Sequence, residues 1–290
     1  MAFQKIVIVG AGVMGQGISR VIAATGTEVI LIDKAMEFAE KGMLGISESM
    51  DKEIEKWGLT ESEKKAILSR ITPKADIKEA AKVRMVIEAI NENMEAKKSL
   101  FSKLDDICKP NAILVTNTST LSITEIAAAT NRPDRVIGMH FLNPVAKVPL
   151  VEVVRGLKTS DETFETIREF ASELGKTVIS VSEYPGYVTT RIIVPMLNEA
   201  MHVLMEGIAS ADDIDEAIKL GFGLSIGPLA LADQMGLDEV MSWMENLLSE
   251  LSEHKYNPCP LLRKMVRAGI LGVKTGQGFF KYDEEGNRIK

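Results

Sequence analysis

The sequence predicts an α/β fold, a doubly wound and mostly parallel sheet with a helical arm, followed by an all-α C-terminal domain. Three observations predict it. Short apolar runs rich in β-branched residues alternate with helical segments over residues 1–183. The first run passes directly into a glycine motif that opens a helix. Beyond residue 184 no convincing strand follows until the tail, and apolar stripes at helical spacing take over. Alternating strands and helices imply parallel pairing, with helices covering both faces of the sheet.

The opening segment carries the most information. Lys5–Val9 reads Lys-Ile-Val-Ile-Val, the composition of a strand buried on both faces. Gly10-Ala11-Gly12-Val13-Met14-Gly15 follows with the spacing G-x-G-x-x-G. Val13 to Ala24 has helical periodicity and stops at Thr25-Gly26, and Glu28–Ile32 is a second strand closed by Asp33. This strand, glycine loop, helix, strand and acid form the Rossmann dinucleotide-binding unit. Gly10 permits the tight turn, Gly12 lets a pyrophosphate approach the backbone, and Gly15 lets helix and strand pack closely. The unpaired N–H groups at the helix start, around Val13 and Met14, suit the pyrophosphate. Asp33 can accept from the ribose hydroxyls, and its charge repels a 2′-phosphate, so NAD is favoured over NADP. A flavin dinucleotide uses the same motif, which therefore fixes a dinucleotide and not its chemistry.

The bulk properties narrow the class. The chain of 290 residues has 46% hydrophobic residues, enough for real cores and against disorder. A net charge of −7 argues against a free nucleic-acid binder. Cys108 and Cys259 lie far apart, with no partner at metal-ligand spacing, and read as two reduced thiols rather than a disulfide framework. No metal is expected. No signal peptide and no membrane span are visible, so the expected setting is cytoplasmic.

Met36 to Lys56 and Thr60 to Arg70 are helical where a compact mononucleotide unit has one short helix, and they read as an arm projecting from the sheet. Thr60-Glu61-Ser62-Glu63 resembles a capping box. Lys41, Lys52 and Lys56 lie along this arm; they form a solvated face, or one or two of them meet a phosphate-bearing substrate. Strands are expected at Met85–Ile90, Ala112–Thr116, Arg135–His140, Val148–Arg155 and Thr177–Val181, with helices from Met94 to about Cys108 and from Ser160 to Leu174. Ligands bind beyond the carboxyl ends of such strands, where Glu88, Asn117, Ser119 and His140 fall. A boundary is expected near residue 184, giving domains of residues 1–183 and 184–290. Helices follow at Val188 to Glu206, Ala211 to Leu220, Leu229 to Met235 and Asp238 to Leu251, with Met and Leu stripes that suit a core or a dimer interface.

Of the three histidines, His202 lies within a helix and His254 in a polar loop, and both read as bystanders. His140 ends a strand at the ligand edge. Downstream, Glu152 interrupts the apolar run Leu150–Val154, and a carboxylate there is costly without a partner. His140 would supply one. A His–carboxylate pair suits alcohol oxidation, because neutral imidazole takes the hydroxyl proton while the carboxylate fixes the tautomer. The same pair also serves as a purely structural contact.

Further motifs carry a resemblance. Glu88-Ala89 with Glu92-Asn93, Asn117-Thr118-Ser119, Met139-His140-Phe141 with Asn143-Pro144, and Leu150-Val151-Glu152-Val153 follow one another in order. Pro185-Gly186-Tyr187 with Arg191, Gly227-Pro228-Leu229, Gly236-Leu237-Asp238 and Gly276-Gln277-Gly278-Phe279-Phe280 continue the series. With Gly10–Gly15, the sequence resembles the L-3-hydroxyacyl-CoA dehydrogenases along essentially its whole length, in particular the short bacterial enzymes. The resemblance implies an N-terminal NAD domain and a helical C-terminal domain that serves substrate and forms a homodimer. It implies His140 and Glu152 as the catalytic pair and Ser119 at the substrate hydroxyl. NAD contacts map to Asp33, Glu88, Asn93, Ser119 and Asn143, and coenzyme A contacts of the acyl-CoA substrate map to Ser49 and Lys56.

Two departures bear on the acyl group. In Gly186-Tyr187-Val188-Thr189-Thr190-Arg191, Thr190 stands where the family usually has an Asn expected to donate to a substrate oxygen. In Gly227-Pro228-Leu229-Ala230, relatives often carry Glu at the last position. Two other readings remain. One is a β-hydroxyacid dehydrogenase acting on a free acid, which the His-Phe-x-Asn-Pro block opposes. The other is a non-catalytic NAD-binding relative, which an intact His140, Glu152 and Ser119 oppose.

Overall fold

The computed structural model of the protein describes residues 3–56 and 58–289. The chain divides into two compact units, one ending at Tyr184 and the other beginning at Pro185.

The first unit is built on β1 (Lys5–Val9), β2 (Glu28–Ile32), β3 (Ile71–Lys74), β4 (Met85–Glu88), β5 (Ile113–Thr116), β6 (Val136–Phe141), β7 (Leu150–Arg155) and β8 (Thr177–Ser182). They form one eight-stranded sheet in the order β3-β2-β1-β4-β5-β6-β7-β8. All neighbours run parallel except β6 and β7. Ile6, Val7 and Ile8 of β1 are fully buried, as a strand covered on both faces requires. The chain leaves β1 toward one edge and returns to place β4 on the other side of β1. The carboxyl ends of β1 and β4 therefore flank the crevice where such sheets take ligands.

The helices of this unit are α1 (Val13–Ala24), α2 (Met36–Ile54), α3 (Glu61–Leu68), α4 (Met94–Ile107), α5 (Ile123–Ala128) and α6 (Asp161–Glu173). The arm is α2 and α3, and it is anchored along much of its length. Ile46 and Met50 of α2 and Ile67 of α3 belong to the main core cluster. The capping box is present, with Thr60 Oγ1 accepting from Glu63 N–H and the Glu63 carboxylate accepting from Thr60 N–H. Two elements were not expected from the sequence. β3 contains Pro73 and pairs only with β2, the edge position at which a strand tolerates proline. α5 is short and starts on Ser122, whose Oγ accepts from Glu125 N–H.

The second unit comprises α7 (Thr189–Met205), α8 (Ala211–Phe222), α9 (Pro228–Met235), α10 (Leu237–Leu251), α11 (Pro260–Arg267) and a small hairpin of β9 (Lys281–Tyr282) and β10 (Arg288–Ile289). α11, again unexpected, begins with proline at its first position. Leu197, Met201, Leu229, Val240, Met244 and Leu247 are fully buried in its core. Two buried carboxylates organise it. Asp215 accepts from Leu229 N–H at 2.8 Å and Ala230 N–H at 3.0 Å, capping α9. Asp233 accepts from Phe279 and Phe280 N–H, each at 3.0 Å, and from the Tyr282 hydroxyl at 2.9 Å, gripping the tail. Burial raises the pKa of both carboxyls, against the pull of these donors. Cys108 and Cys259 are both buried and free. Among the described residues no helix is long and apolar enough to cross a membrane.

Candidate active site

The glycine loop leaves β1 at the crevice. Gly10 has φ +107°, and an added Cβ would lie 2.4 Å from Ala89 O, so only glycine fits. An added Cβ on Gly15 would lie 1.8 Å from Gly10 O, which is the close packing of helix against strand end. Gly12 differs, because a Cβ there would meet nothing within 4 Å. The space in front of Gly12 is open, and Val13 beside it is 66% exposed. The first turn of α1 has no side-chain cap and no acid. Its N–H groups thus face an open cradle suited to an anion. Asp33 directly follows β2, with Oδ2 accepting from Ala11 N–H at 2.8 Å and Oδ1 from Lys34 N–H at 2.7 Å. The loop, the helix end and the acid fit a dinucleotide.

The second feature sits at the one antiparallel pair of the sheet. His140 of β6 is directly opposite Glu152 of β7, and His140 Nδ1 lies 2.6 Å from Glu152 Oε2. His140 is 3% exposed and Glu152 is fully buried. An ionised carboxylate only accepts, so this contact calls for a proton on Nδ1, and in the neutral ring of that tautomer the lone pair is on Nε2. The two strands run antiparallel because the chain reverses between Leu142 and Pro149 instead of crossing over through a helix.

Ser119 lies in the loop after β5, and that loop is held by Glu92, to which the sequence pattern assigned no role, and by Asn117, which it placed at the ligand edge. Glu92 Oε1 accepts from Ser119 N–H at 2.9 Å, Thr120 N–H at 3.0 Å, Thr118 Oγ1 at 2.6 Å and Thr120 Oγ1 at 3.1 Å. Asn117 Oδ1 accepts from Phe141 N–H at 3.0 Å. Beneath the loop, the fully buried Lys97 lies 2.5 Å from Glu88 Oε1 and 3.6 Å from Glu92 Oε2. Glu88, expected as a cofactor contact, is itself fully buried. It accepts from Ile90 N–H at 2.7 Å and Thr116 Oγ1 at 2.7 Å as well as from Lys97. Its carboxylate is engaged by protein, because a buried charge needs internal partners. A helical lysine nine residues after the strand-end acid was the available signal for this pair.

The other expected positions, Thr190 apart, are surface sites. Asn93 is exposed and caps α4, with Oδ1 accepting from Ala96 N–H at 2.9 Å. Asn143 is exposed in the loop after β6. That loop is fastened by Lys176, whose Nζ donates to Val145 O at 2.5 Å and Val148 O at 2.6 Å. On the arm, Ser49 Oγ accepts from Arg20 Nη1 at 3.4 Å, and Arg20 also forks onto Glu53. Arg20 holds the Glu53 carboxyl below its ordinary pKa. Lys56 is exposed. Thr190 belongs to the second unit, in the first turn of α7, and is buried. His202 and His254 line a cavity of about 480 Å³ within the second unit.

The switch-point glycine loop and the His–Glu pair at the same edge of one sheet define the class, a dinucleotide-dependent dehydrogenase. Residues 5–184 match the family described as 3-hydroxyacyl-CoA dehydrogenase, NAD binding domain, and residues 186–282 match 3-hydroxyacyl-CoA dehydrogenase, C-terminal domain. The chain belongs to the 3-hydroxyacyl-CoA dehydrogenase family, and its cofactor is NAD. It is 49% identical to a probable 3-hydroxybutyryl-CoA dehydrogenase of Bacillus subtilis, over 98% of this chain and 99% of that one. It is 43% identical to a 3-hydroxybutyryl-CoA dehydrogenase of Clostridioides difficile, over 97% of this chain and 100% of that one. Among solved structures it is similar to the (S)-3-hydroxybutyryl-CoA dehydrogenase PaaH1 of Ralstonia eutropha, with TM-score 0.88, 44% identity and coverage of 97% and 100%. It is also similar to FadB2 of M. tuberculosis, with TM-score 0.94, 38% identity and coverage of 97% and 99%.

Proposed function

We propose that the protein catalyses the reversible, NAD-dependent oxidation of a short (S)-3-hydroxyacyl-CoA, such as 3-hydroxybutanoyl-CoA, to the 3-oxoacyl-CoA. The observation that carries this reading is the buried His140–Glu152 contact of 2.6 Å at the ligand edge of the sheet. NAD supplies the hydride acceptor. His140 Nε2 takes the hydroxyl proton, and Glu152 holds the ring and stabilises the imidazolium that forms. The Ser119 hydroxyl bonds the substrate oxygen and orients the reacting carbon. Asp33, Asn93 and Asn143 contact the cofactor with Gly10, Gly12, Val13, Met14 and Gly15. Glu88 serves that side only through the turn it anchors.

On the arm, Ser49 and Lys56 contact the coenzyme A portion, where the exposed ammonium of Lys56 suits a phosphate. Thr190 gives the substrate a weaker or water-mediated bond in place of the family Asn. The N-terminal unit, residues 1–183, acts as the NAD-binding domain, and the helical unit, residues 184–290, serves substrate and dimerisation. Ile192, Ile208, Leu220 and Phe222 of the helical unit are 67–76% exposed, which supports a homodimer formed through it. Two buried thiols without a disulfide suit a cytoplasmic setting.

The test is absorbance loss with acetoacetyl-CoA and NADH, beside NADPH and a His140→Ala control. Rapid loss with NADH that disappears in the control is expected. Equal rates in the control would overturn the assignment of the base, and no loss with any of a range of acyl-CoA chain lengths would overturn the substrate class.

A further inference from the structure

β5 stops at Thr116, opposite Gly138, whereas β6 runs on to Phe141. The overhanging end of β6 carries His140, and the N–H of Phe141 on the β5 side lies beyond the last residue of β5. A buried donor left without an acceptor is destabilising. Asn117 answers this. Its side-chain oxygen accepts from Phe141 N–H at 3.0 Å, extending the ladder one step beyond the end of β5. Its backbone N–H donates to Glu88 O at 2.9 Å. Asn117 thus joins the end of β4, the loop after β5 and the end of β6. Ser119 lies just downstream in that loop, and His140 immediately precedes the residue whose N–H Asn117 holds. The far side of the same loop is gripped by Glu92, which accepts from Ser119 N–H at 2.9 Å.

We propose that Asn117 is a positioning residue for the reaction, fixing the loop of Ser119 against the strand of His140 and so setting the separation of the two groups that act on the substrate hydroxyl. This rests on the roles given above to His140 and Ser119. Asn117 acts through the backbone of its neighbours. Its effect falls on the alignment of two groups in the transition state, where a displacement of about 1 Å can cost about 100-fold. The expectation is therefore a loss in kcat with little change in cofactor affinity.

Asn117→Ala removes the acceptor, Asn117→Gln moves it outward by one methylene, and Asn117→Asp keeps it in place. Each variant is compared with wild type and with His140→Ala in kcat and KM for acetoacetyl-CoA, in NADH affinity by fluorescence titration, and in melting temperature. Asn117→Ala and Asn117→Gln are expected to lose about 10- to 100-fold in kcat while NADH affinity stays within about threefold of wild type, and Asn117→Asp is expected to recover most of the rate. The glutamine variant carries the comparison where the alanine variant does not fold. Wild-type kcat in either variant beside an inactive His140→Ala overturns the proposal alone. Rate, NADH affinity and melting temperature falling together in both variants, with no recovery by Asp, also overturns it, because that is the signature of a fold contact. A fully active His140→Ala overturns the reading of the site, and the proposal with it.

Discussion

His140 and Glu152 face each other directly across the single antiparallel pair of an otherwise parallel sheet, with Nδ1 2.6 Å from Oε2. Register, not sequence spacing, makes the pair. Both side chains point to the same face from directly paired positions, where Cβ atoms lie about 4.5–5.5 Å apart. Glu152→Gln keeps the shape and removes the charge that, in the proposed mechanism, orients and stabilises the imidazolium. It is expected to lower kcat about 100-fold or more with little change in NADH affinity, measured by steady-state kinetics and fluorescence titration. Wild-type turnover would show that Glu152 is only structural.

Gly12 and Gly15 separate binding from folding. Gly12→Ala places its methyl in open space, so melting temperature of the unliganded protein is expected to hold while NADH affinity falls about tenfold or more. Gly15→Ala drives a methyl into the carbonyl of Gly10, and the melting temperature itself is expected to drop. Equal melting of the two variants would contradict this division.

Lys97 is fully buried between Glu88 and Glu92. Lys97→Met leaves a buried carboxylate without its cation and is expected to cost about 3–5 kcal/mol in denaturant unfolding. Adding Glu88→Gln to that variant is expected to return much of the loss. An unfolding midpoint for Lys97→Met equal to wild type would mean that the pair contributes nothing net.

Asp233 gives a pH signature with a definite sign. Burial raises its folded-state pKa above the unfolded value of about 3.9, so the native state binds the proton more tightly. The stability this contributes is fully present below the unfolded value and is lost as pH rises through the folded one. Wild type is therefore expected to gain stability relative to Asp233→Asn as pH falls, in denaturant titrations from pH 7 to about pH 4. A constant difference across that range would refute the shift. Asp233→Ala, which also strands the N–H groups of Phe279 and Phe280, is expected to cost about 3 kcal/mol at pH 7 and more as pH falls.

By the resemblance drawn from the sequence, Thr190 takes a position at which an Asn is expected. A lost transition-state donor costs about 100-fold, and a weaker one costs less. Thr190→Asn is expected to raise turnover on acetoacetyl-CoA. Unchanged or lower turnover would mean that this position is tuned to a different acyl group.

The strand, glycine loop, helix and acid of the first residues were legible in the sequence because every part is local. Burial on two faces demands the apolar run, the turn and the close approach demand glycine at Gly10 and Gly15, and the capping box at Thr60 needs only residues three apart. The same locality made most helices readable from their periodicity and made His140 stand out among three histidines. The tertiary structure alone decided what depends on residues distant in the chain. It set β6 and β7 antiparallel, so that His140 and Glu152 became directly paired positions. It gave Glu88 to Lys97 rather than leaving it exposed at the strand end. It placed Glu92 under the Ser119 loop, Asn117 across the end of β6, and Asp233 against the tail. The physical reason is common to all of these. Periodicity encodes which face of an element is buried, but a polar group in the interior must find its partner wherever the packed chain brings one, and no local pattern records where that is.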